Sequence, residues 1–208
     1  MIRLYDYLPS GNGYKVRLLL TQLEIPFERT ELDITKGDTR TREFLAKFPN
    51  GRIPAIEFDD GRRLFESDAI LTYFGEGTPL LSSDRFERAR TMQWLFFEQY
   101  SHEPYIAVAR FLAMHSEVSD ERRASMARIM KLGHDALGVM ESHLGGTGAG
   151  DHPRDFFVGN RYSIADIALY AYTHVAEEGG FDLAKYPTVR AWLERVKSQP
   201  RHIPITQS

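Results

Sequence analysis

Cysteine is absent from this chain of 208 residues. The absence excludes disulfide bonds, thiolate-ligated zinc, iron–sulfur clusters and a cysteine nucleophile. Any sulfur chemistry would therefore need a sulfur atom that arrives with a substrate. The seven histidines are scattered without the spacing of metal ligands, so we expect no metal site.

Long apolar runs and an excess of one charge are also missing. No apolar run approaches the roughly 18 residues that a membrane-spanning helix needs. Lys and Arg number 26 against 29 Asp and Glu, for a net charge of −3, which does not suit a protein built mainly to bind nucleic acid. The first six residues lack the charged-then-apolar pattern of a signal peptide. We therefore expect no nucleic-acid partner, no membrane association and a cytoplasmic location.

The first 77 residues alternate between strand and helix patterns. The predicted strands cover residues 2–7, 27–34, 54–58 and 62–65, and the predicted helices cover 14–23, 39–48 and 68–74. An Asp-Gly pair between the last two strands is typical of a hairpin turn. The order βαβ followed by αββα predicts a small mixed sheet flanked by helices, an α/β domain.

The pattern beyond residue 77 is almost entirely helical. A turn-rich stretch without periodicity comes first. The predicted helices then run from Asp84 toward Met114 with an interruption at Pro104, from Ser119 or Asp120 to about 144, from 163 to 177, and from 188 to 198. We predict an α/β domain over 1–77, a linker over 78–84 and an all-α domain over 85–208.

A glycine-rich turn, Ser10-Gly11-Asn12-Gly13, leads into the first helix. The N-terminus of a helix presents unpaired N–H groups and the positive end of the helix dipole, which favour an anion. Ser10 adds a hydroxyl donor and Asn12 an amide donor. Both residue types are also common in turns and helix caps, so the residues alone leave a purely structural role open.

Two further motifs follow strand boundaries. Ile53-Pro54, preceded by Arg52, stands directly before the third strand, where a proline is tolerated because no ladder donor is needed. Glu66-Ser67 stands where the fourth strand meets the next helix. Ser67 can cap that helix, and Glu66 would lie beside an N-terminus whose N–H groups can bind a carboxylate.

The order and spacing of these motifs resemble the glutathione site of the cytosolic glutathione S-transferases, in their serine-type form. The segments that carry the resemblance are Ser10–Asn12, Ile53–Pro54, Glu66–Ile70 and, in the helical part, Tyr162–Ile167, which resembles that family's helix-capping box. The resemblance covers essentially the whole chain. It implies a thioredoxin-like domain that binds glutathione, followed by an all-helical domain that offers a pocket for an electrophile.

The resemblance also implies a role for each matching residue. Ile53 would pair its main chain with the cysteinyl part of glutathione, ahead of a cis Pro54. Glu66 and Ser67 would hold the ammonium and carboxylate of the γ-glutamyl group. Arg52 would reach the glycyl carboxylate, although a solvated side chain is an equal alternative.

Thiolate formation is the chemical task that such a site must perform. A free thiol with a pKa of about 8.5 is only a few per cent ionised at neutral pH. Lowering that pKa by about two units takes roughly 2.7 kcal/mol of preferential stabilisation of the anion. We expect Ser10 to be the donor and Asn12 to be the second choice. Tyr5 and Tyr7, at the end of the first strand, are the alternatives suggested by tyrosine-type members of the family.

By this resemblance the protein is a homodimer that conjugates glutathione, its co-substrate, to a hydrophobic electrophile, as in detoxification. No other cofactor is implied. Tyr105, Ile106 and Phe111 are candidates for the electrophile pocket, although aromatic residues in helical domains are commonly core residues. Two other functions remain open: glutathione-dependent reduction of disulfides or peroxides, which Asn12 favours, and a glutathione-binding scaffold without turnover.

Overall fold

The computed structural model describes residues 1–115, 124–147 and 152–207. Within it the chain forms two compact units. The first contains Met1–Thr78 together with the end of the chain from Pro200, and the second contains Pro79–Gln199. The predicted helix start at Ser119 or Asp120 lies outside the described residues.

The first unit has the expected thioredoxin-like arrangement of a four-stranded mixed sheet and three helices. The strands are β1 (Ile2–Asp6), β2 (Phe27–Glu31), β3 (Ala55–Phe58) and β4 (Arg63–Phe65), and the helices are α1 (Gly11–Gln22), α2 (Arg42–Lys47) and α3 (Ser67–Gly75). The strand order is β2-β1-β3-β4. Strands β1 and β2 are parallel, whereas β3 is antiparallel to β1 and β4. The predicted fold class is confirmed.

Alternation along β1 gives this sheet two covered faces. Leu4 packs with Val16 and Leu20 of α1, while its neighbour Tyr5 packs with Phe44 of α2. Successive side chains of a strand point to opposite faces, so one strand supplies both cores. Helices α1 and α3 therefore cover one face and α2 covers the other.

Helix α1 is buried much more completely than its sequence predicts. The apolar spacing indicates one buried face, yet Lys15 and Arg17 are also fully buried. The reason is the end of the chain, which packs along α1: the Tyr14 hydroxyl donates to the carbonyl of Ile203 at 2.7 Å, and Arg17 donates to that of Gln207 at 2.6 Å. The sequence-based boundary assigned this segment to the helical domain, whereas it packs on the first unit because α1 offers buried donors to its carbonyl groups.

The second unit is helical, as expected. Its helices are α4 (Arg85–Phe97), α5 (Glu103–Met114), α6 (Met126–Gly145), α7 (Ile164–Thr173) and α8 (Pro187–Lys197). A π-helical turn over Glu98–His102 separates α4 from α5. Pro104 lies in the first turn of α5, so the interruption predicted at Pro104 falls just before it, at the π-helical turn.

Asp166 organises the core of the helical unit. Its carboxylate accepts hydrogen bonds from the Ser163 N–H at 2.9 Å, the Phe157 N–H at 3.1 Å and the Trp192 indole at 3.0 Å. Ser163 and Asp166 form the capping box expected from the Tyr162–Ile167 segment. Burial raises the pKa of Asp166 to about 6, and the donors oppose that shift. Within the described ranges, no helix is long and apolar enough to cross a membrane.

Candidate functional site

Ser10 caps helix α1, and that role leaves its hydroxyl able to donate. Its Oγ accepts a hydrogen bond from the Gly13 N–H at 3.2 Å. A serine hydroxyl carries one proton and two acceptor positions, so accepting from Gly13 does not use the proton. The first turn of α1 contains no acidic residue of its own. The cap and the anion-binding role are therefore compatible.

A buried ion pair between the end of β1 and helix α1 lies next to this turn. Asp6, the last residue of β1, accepts from the Tyr7 N–H at 2.7 Å, and its Oδ2 lies 3.0 Å from the Arg17 Nε. Burial raises the pKa of Asp6 to about 6, while the charge of Arg17 works in the opposite direction. A Cβ atom at Gly13 would lie only 1.6 Å from the Asp6 Oδ1. The turn can approach the carboxylate this closely only because residue 13 has no side chain.

Side-chain contacts join the start of α1 to the start of α3. The Ser67 hydroxyl donates to the Asn12 Oδ1 at 3.4 Å. Behind it, the Lys15 ammonium donates to the Ser67 Oγ at 3.2 Å and to the Asp68 Oδ1 at 3.1 Å. Two motifs that are 55 residues apart in sequence thus form one polar cluster at two helix N-termini.

The Ile53-Pro54 motif lies at the same end of the sheet. The peptide bond between these residues is cis. Strand β3 pairs with β1 through Ala55 opposite Tyr5, so Ile53 and Pro54 continue past the carboxyl end of β1. The side chain of Asn50 donates to the Glu66 carboxylate at 3.0 Å, which brings the loop before β3 to the start of α3.

Two charged residues of the motifs are exposed at this edge. Glu66 is exposed and has a positive φ of 69°, and Arg52 is exposed in the loop before Ile53. A ligand of opposite charge can therefore reach these two charged groups without first breaking a buried contact. The polar groups of Ser10, Asn12, Glu66 and Ser67 thus lie on the starts of α1 and α3, which the Ser67–Asn12 contact joins. Arg52 lies two residues after Asn50, whose side chain contacts Glu66.

Tyr5, one of the alternative donors, already uses its proton elsewhere. Its hydroxyl donates to the Glu57 carboxylate at 2.8 Å and accepts from Lys47 at 3.1 Å. This hydrogen bond, helped by Lys47, holds the pKa of Glu57 at about 2. The half-buried Tyr7 donates its main-chain N–H group to Asp6, a contact that does not involve its hydroxyl, so Tyr7 stays an alternative donor. The geometry therefore favours Ser10 and Asn12 over Tyr5.

The predicted pocket residues belong to the helical unit and differ in exposure. Ile106 is fully buried in the core of that unit, whereas Tyr105 and Phe111 are half-buried. Phe111 stacks on His115 with 4.1 Å between the ring centroids. Their role at a pocket remains a prediction. In the part of the chain that the structure describes, no group of three acidic or histidine side chains is arranged to hold a metal ion.

Lys15 and Asp68 are polar members of this cluster that the sequence analysis missed. Lys15 sits in a run of apolar residues, and a lysine in a helix is ordinarily taken as solvated. The one available signal was position: Lys15 follows Asn12 by three residues, so both lie on the same side of α1. The sequence pattern marks Asp68 only as the first residue of a predicted helix.

The family follows from comparison of the whole sequence. Residues 1–76 match the glutathione S-transferase N-terminal domain, and residues 123–195 match the glutathione S-transferase C-terminal domain. These two matches cover well over half of the chain, with the same domain order as the two structural units. The chain belongs to the glutathione S-transferase family.

Three individual relatives resemble this chain over nearly its whole length. The crystal structure of a glutathione S-transferase from Pseudomonas fluorescens Pf-5 is 50% identical, with 99% of each chain covered and a TM-score of 0.93. The disulfide-bond oxidoreductase YfcG of Escherichia coli K12 is 34% identical over 209 residues, which cover 96% of this chain and 92% of YfcG. A structure of Ure2p in complex with glutathione is 26% identical, covers 96% of this chain and 90% of Ure2p, and has a TM-score of 0.83.

Proposed function

We propose that this protein is a glutathione transferase. Glutathione binds at the joined N-termini of α1 and α3, and its thiolate attacks a hydrophobic electrophile. The observation that carries the proposal is the pairing of Ser10, whose hydroxyl keeps a proton while it caps α1, with the Asn12–Ser67 contact. The Ure2p relative bound to glutathione and the 50% identical transferase support the same ligand. The proposal includes a cytoplasmic homodimer, as in the family.

Each charged group of glutathione has a group of opposite charge or a hydrogen-bond donor to meet in the site. Ser67 begins α3, so its N–H group can donate to the γ-glutamyl carboxylate; its hydroxyl, which donates to the Asn12 Oδ1 at the long distance of 3.4 Å, can turn to donate to that carboxylate as well. The exposed carboxylate of Glu66 can pair with the γ-glutamyl ammonium. Ile53 lies beside the end of β1 and offers main-chain groups to the cysteinyl residue. Arg52 supplies a cation for the glycyl carboxylate.

The thiolate is stabilised by the Ser10 hydroxyl and by the N-terminus of α1. A hydrogen bond to a charged group contributes about 1.5–3 kcal/mol, and a helix terminus about 0.3–1 kcal/mol. Together they meet the roughly 2.7 kcal/mol that a shift of two pKa units requires. In conjugation the thiol proton goes to solvent, the sulfur forms a bond to the electrophilic carbon, and the leaving group departs with its electron pair.

Reduction of a disulfide is the second candidate, favoured by the name of the E. coli relative and by Asn12 in the turn. A glutathione thiolate would attack the disulfide, form a mixed disulfide and release one thiolate, which takes up a proton. A second glutathione thiolate would then attack the glutathione sulfur, giving glutathione disulfide and the second thiol. Because the chain has no cysteine, both attacking sulfur atoms would come from glutathione.

Two substrates separate these reactions. With glutathione present, we expect turnover of a chlorodinitrobenzene-type electrophile, measured as absorbance of the thioether conjugate. Turnover of hydroxyethyl disulfide without conjugation would establish the reductase instead. Calorimetric binding of glutathione with neither reaction would leave a binding scaffold, and absence of glutathione binding would contradict the whole proposal.

The Ser10→Ala variant should raise the pKa of bound glutathione by about one to two units, because the thiolate loses a donor. The measurement is the pH dependence of the single-turnover rate or of thiolate absorbance. Ser10→Thr is the matched control, since it keeps both the hydroxyl and the capping oxygen. If Asn12→Ala raises this pKa and Ser10→Ala does not, Asn12 is the donor and our assignment is wrong.

A further inference from the structure

Lys15 is a fully buried cation directly behind the proposed glutathione site. Its side chain is 0% exposed, and its ammonium contacts both Ser67 and Asp68. Burying an ammonium is costly unless charge and hydrogen bonds compensate it. A neutral residue would fill the same space without that cost, so the charge requires an explanation beyond packing.

Asp68 lies 3.1 Å from the Lys15 ammonium and compensates it, while the same ammonium still donates to Ser67. One carboxylate oxygen, Oδ1, lies 3.1 Å from the Lys15 Nζ. The other, Oδ2, is buried without a hydrogen-bond partner among the described residues. The carboxylate therefore depends on Lys15 for its compensation. An ammonium is only a donor, so the hydrogen bond to Ser67 has a fixed direction, from Lys15 to the Ser67 oxygen.

That direction changes what Ser67 does. A hydroxyl that accepts from a cation becomes a stronger donor, because hydrogen bonds in a chain polarise one another. Ser67 is also the first residue of α3, a nine-residue helix whose first N–H groups have no partner within the helix, although Asp68 in the same turn offsets part of the helix dipole. The cation, the oriented hydroxyl and these N–H groups favour an anion in front of Ser67.

We propose that Lys15 makes the glutathione site specific for the α-carboxylate of the γ-glutamyl group. The inference rests on the proposed function, since it assumes that Ser67 receives this carboxylate. Glu66, exposed and adjacent, provides the opposite charge for the α-ammonium. The site then selects a zwitterionic amino-acid head group rather than any thiol peptide. Lys15 acts through Ser67, so it is a positioning residue.

Two ligands and two variants test this specificity. The ligands are glutathione and an analogue in which 4-aminobutyrate replaces the γ-glutamyl group, which removes only the α-carboxylate. We expect Lys15→Gln to weaken glutathione binding about tenfold or more, because it removes a charge close to the carboxylate in a partly buried site. The same variant should weaken binding of the analogue less than about threefold. Isothermal calorimetry measures both constants.

If Lys15→Gln alone does not fold because Asp68 is left uncompensated, the double variant with Asp68→Asn replaces it and should show the same loss for glutathione alone. Equal weakening of both ligands would refute the specificity role of Lys15 and leave the glutathione site intact. If the wild-type protein does not bind glutathione, the proposed function fails first.

Discussion

Replacing Gly13 by alanine should destabilise the protein by about 3 kcal/mol or more, the range for severe overpacking or loss of a buried ion pair. The new Cβ would lie 1.6 Å from the Asp6 Oδ1 and 2.5 Å from its Cγ. Asp6 has little freedom to retreat, because it is fully buried and holds Arg17 and the Tyr7 N–H. The free energy of unfolding, measured by urea titration with circular dichroism, tests the expectation.

A loss of stability on this substitution is diagnostic of the close contact with Asp6, because the opposite effect is usual in a helix. In an ordinary helix position, alanine is more favourable than glycine by about 1 kcal/mol. Gly138 provides the control, since it is an exposed position of α6 and an added Cβ there meets no atom within 4 Å. Gly138→Ala should stabilise the protein slightly. If Gly13→Ala behaves like Gly138→Ala, the close approach of the Ser10 turn to Asp6 is wrong.

The elements of the first unit were predictable because their hydrophobic patterns are local. Each predicted strand overlaps an observed one, and the Asp60-Gly61 turn is explained by Gly61, whose φ of 83° favours glycine. Helix α1 was placed with a later start, at Tyr14, because the glycine-rich turn hides its first residues. The local signals thus located the elements but not every boundary.

Burial of α1 could not be predicted in the same way. Lys15 and Arg17 have the composition of a solvated helix face, and no local pattern distinguishes them from one. Their partners are Ser67 and Asp68 in one case and Ile205 and Gln207 in the other. Contacts across 52 to 190 residues depend on where the chain returns, and a periodicity carries no information about that return.

In the candidate site, too, the sequence predicts some features, whereas others depend on contacts between distant segments. The sequence identified Ser10 and Asn12 but left open whether Ser10 is a cap or a donor. The structure shows why these roles need not compete, since the cap uses an acceptor position of the hydroxyl and a ligand would use its proton. The contacts that join the motifs, from Ser67 to Asn12 and from Asn50 to Glu66, required the folded chain.

The second large effect concerns Arg17. Its guanidinium lies 3.0 Å from Asp6 and donates to the carbonyls of Leu8, at 2.8 Å, Ile205, at 3.1 Å, and Gln207, at 2.6 Å. Lysine keeps the charge, but a single ammonium cannot span these acceptors. We expect Arg17→Lys to lower the free energy of unfolding by about 3 kcal/mol or more, as for a broken buried ion pair. Urea titration provides the measurement.

Arg29→Lys is the matched control for Arg17. Arg29 also faces Asp6, but at 4.0 Å and with 18% of its side chain exposed. Partly exposed ion pairs contribute little, so this variant should cost less than about 1 kcal/mol. If Arg17→Lys costs as little as Arg29→Lys, the positive charge near Asp6, which both variants keep, rather than the guanidinium fork of Arg17 stabilises the unit.

The absence of cysteine allows the end of the chain to be observed directly. Gln207 contacts Arg17 through its carbonyl group and has an exposed side chain, so Gln207→Cys should keep the contact while adding the chain's only thiol. A spin label there should be restricted in motion with Arg17 present and mobile in the Arg17→Lys background. Because Arg17 also holds the Leu8 carbonyl, two residues before Ser10, release of the chain end should accompany loosening of the Ser10 turn. Restricted motion in both backgrounds would show that contacts elsewhere, such as Tyr14 with Ile203, suffice to hold the segment.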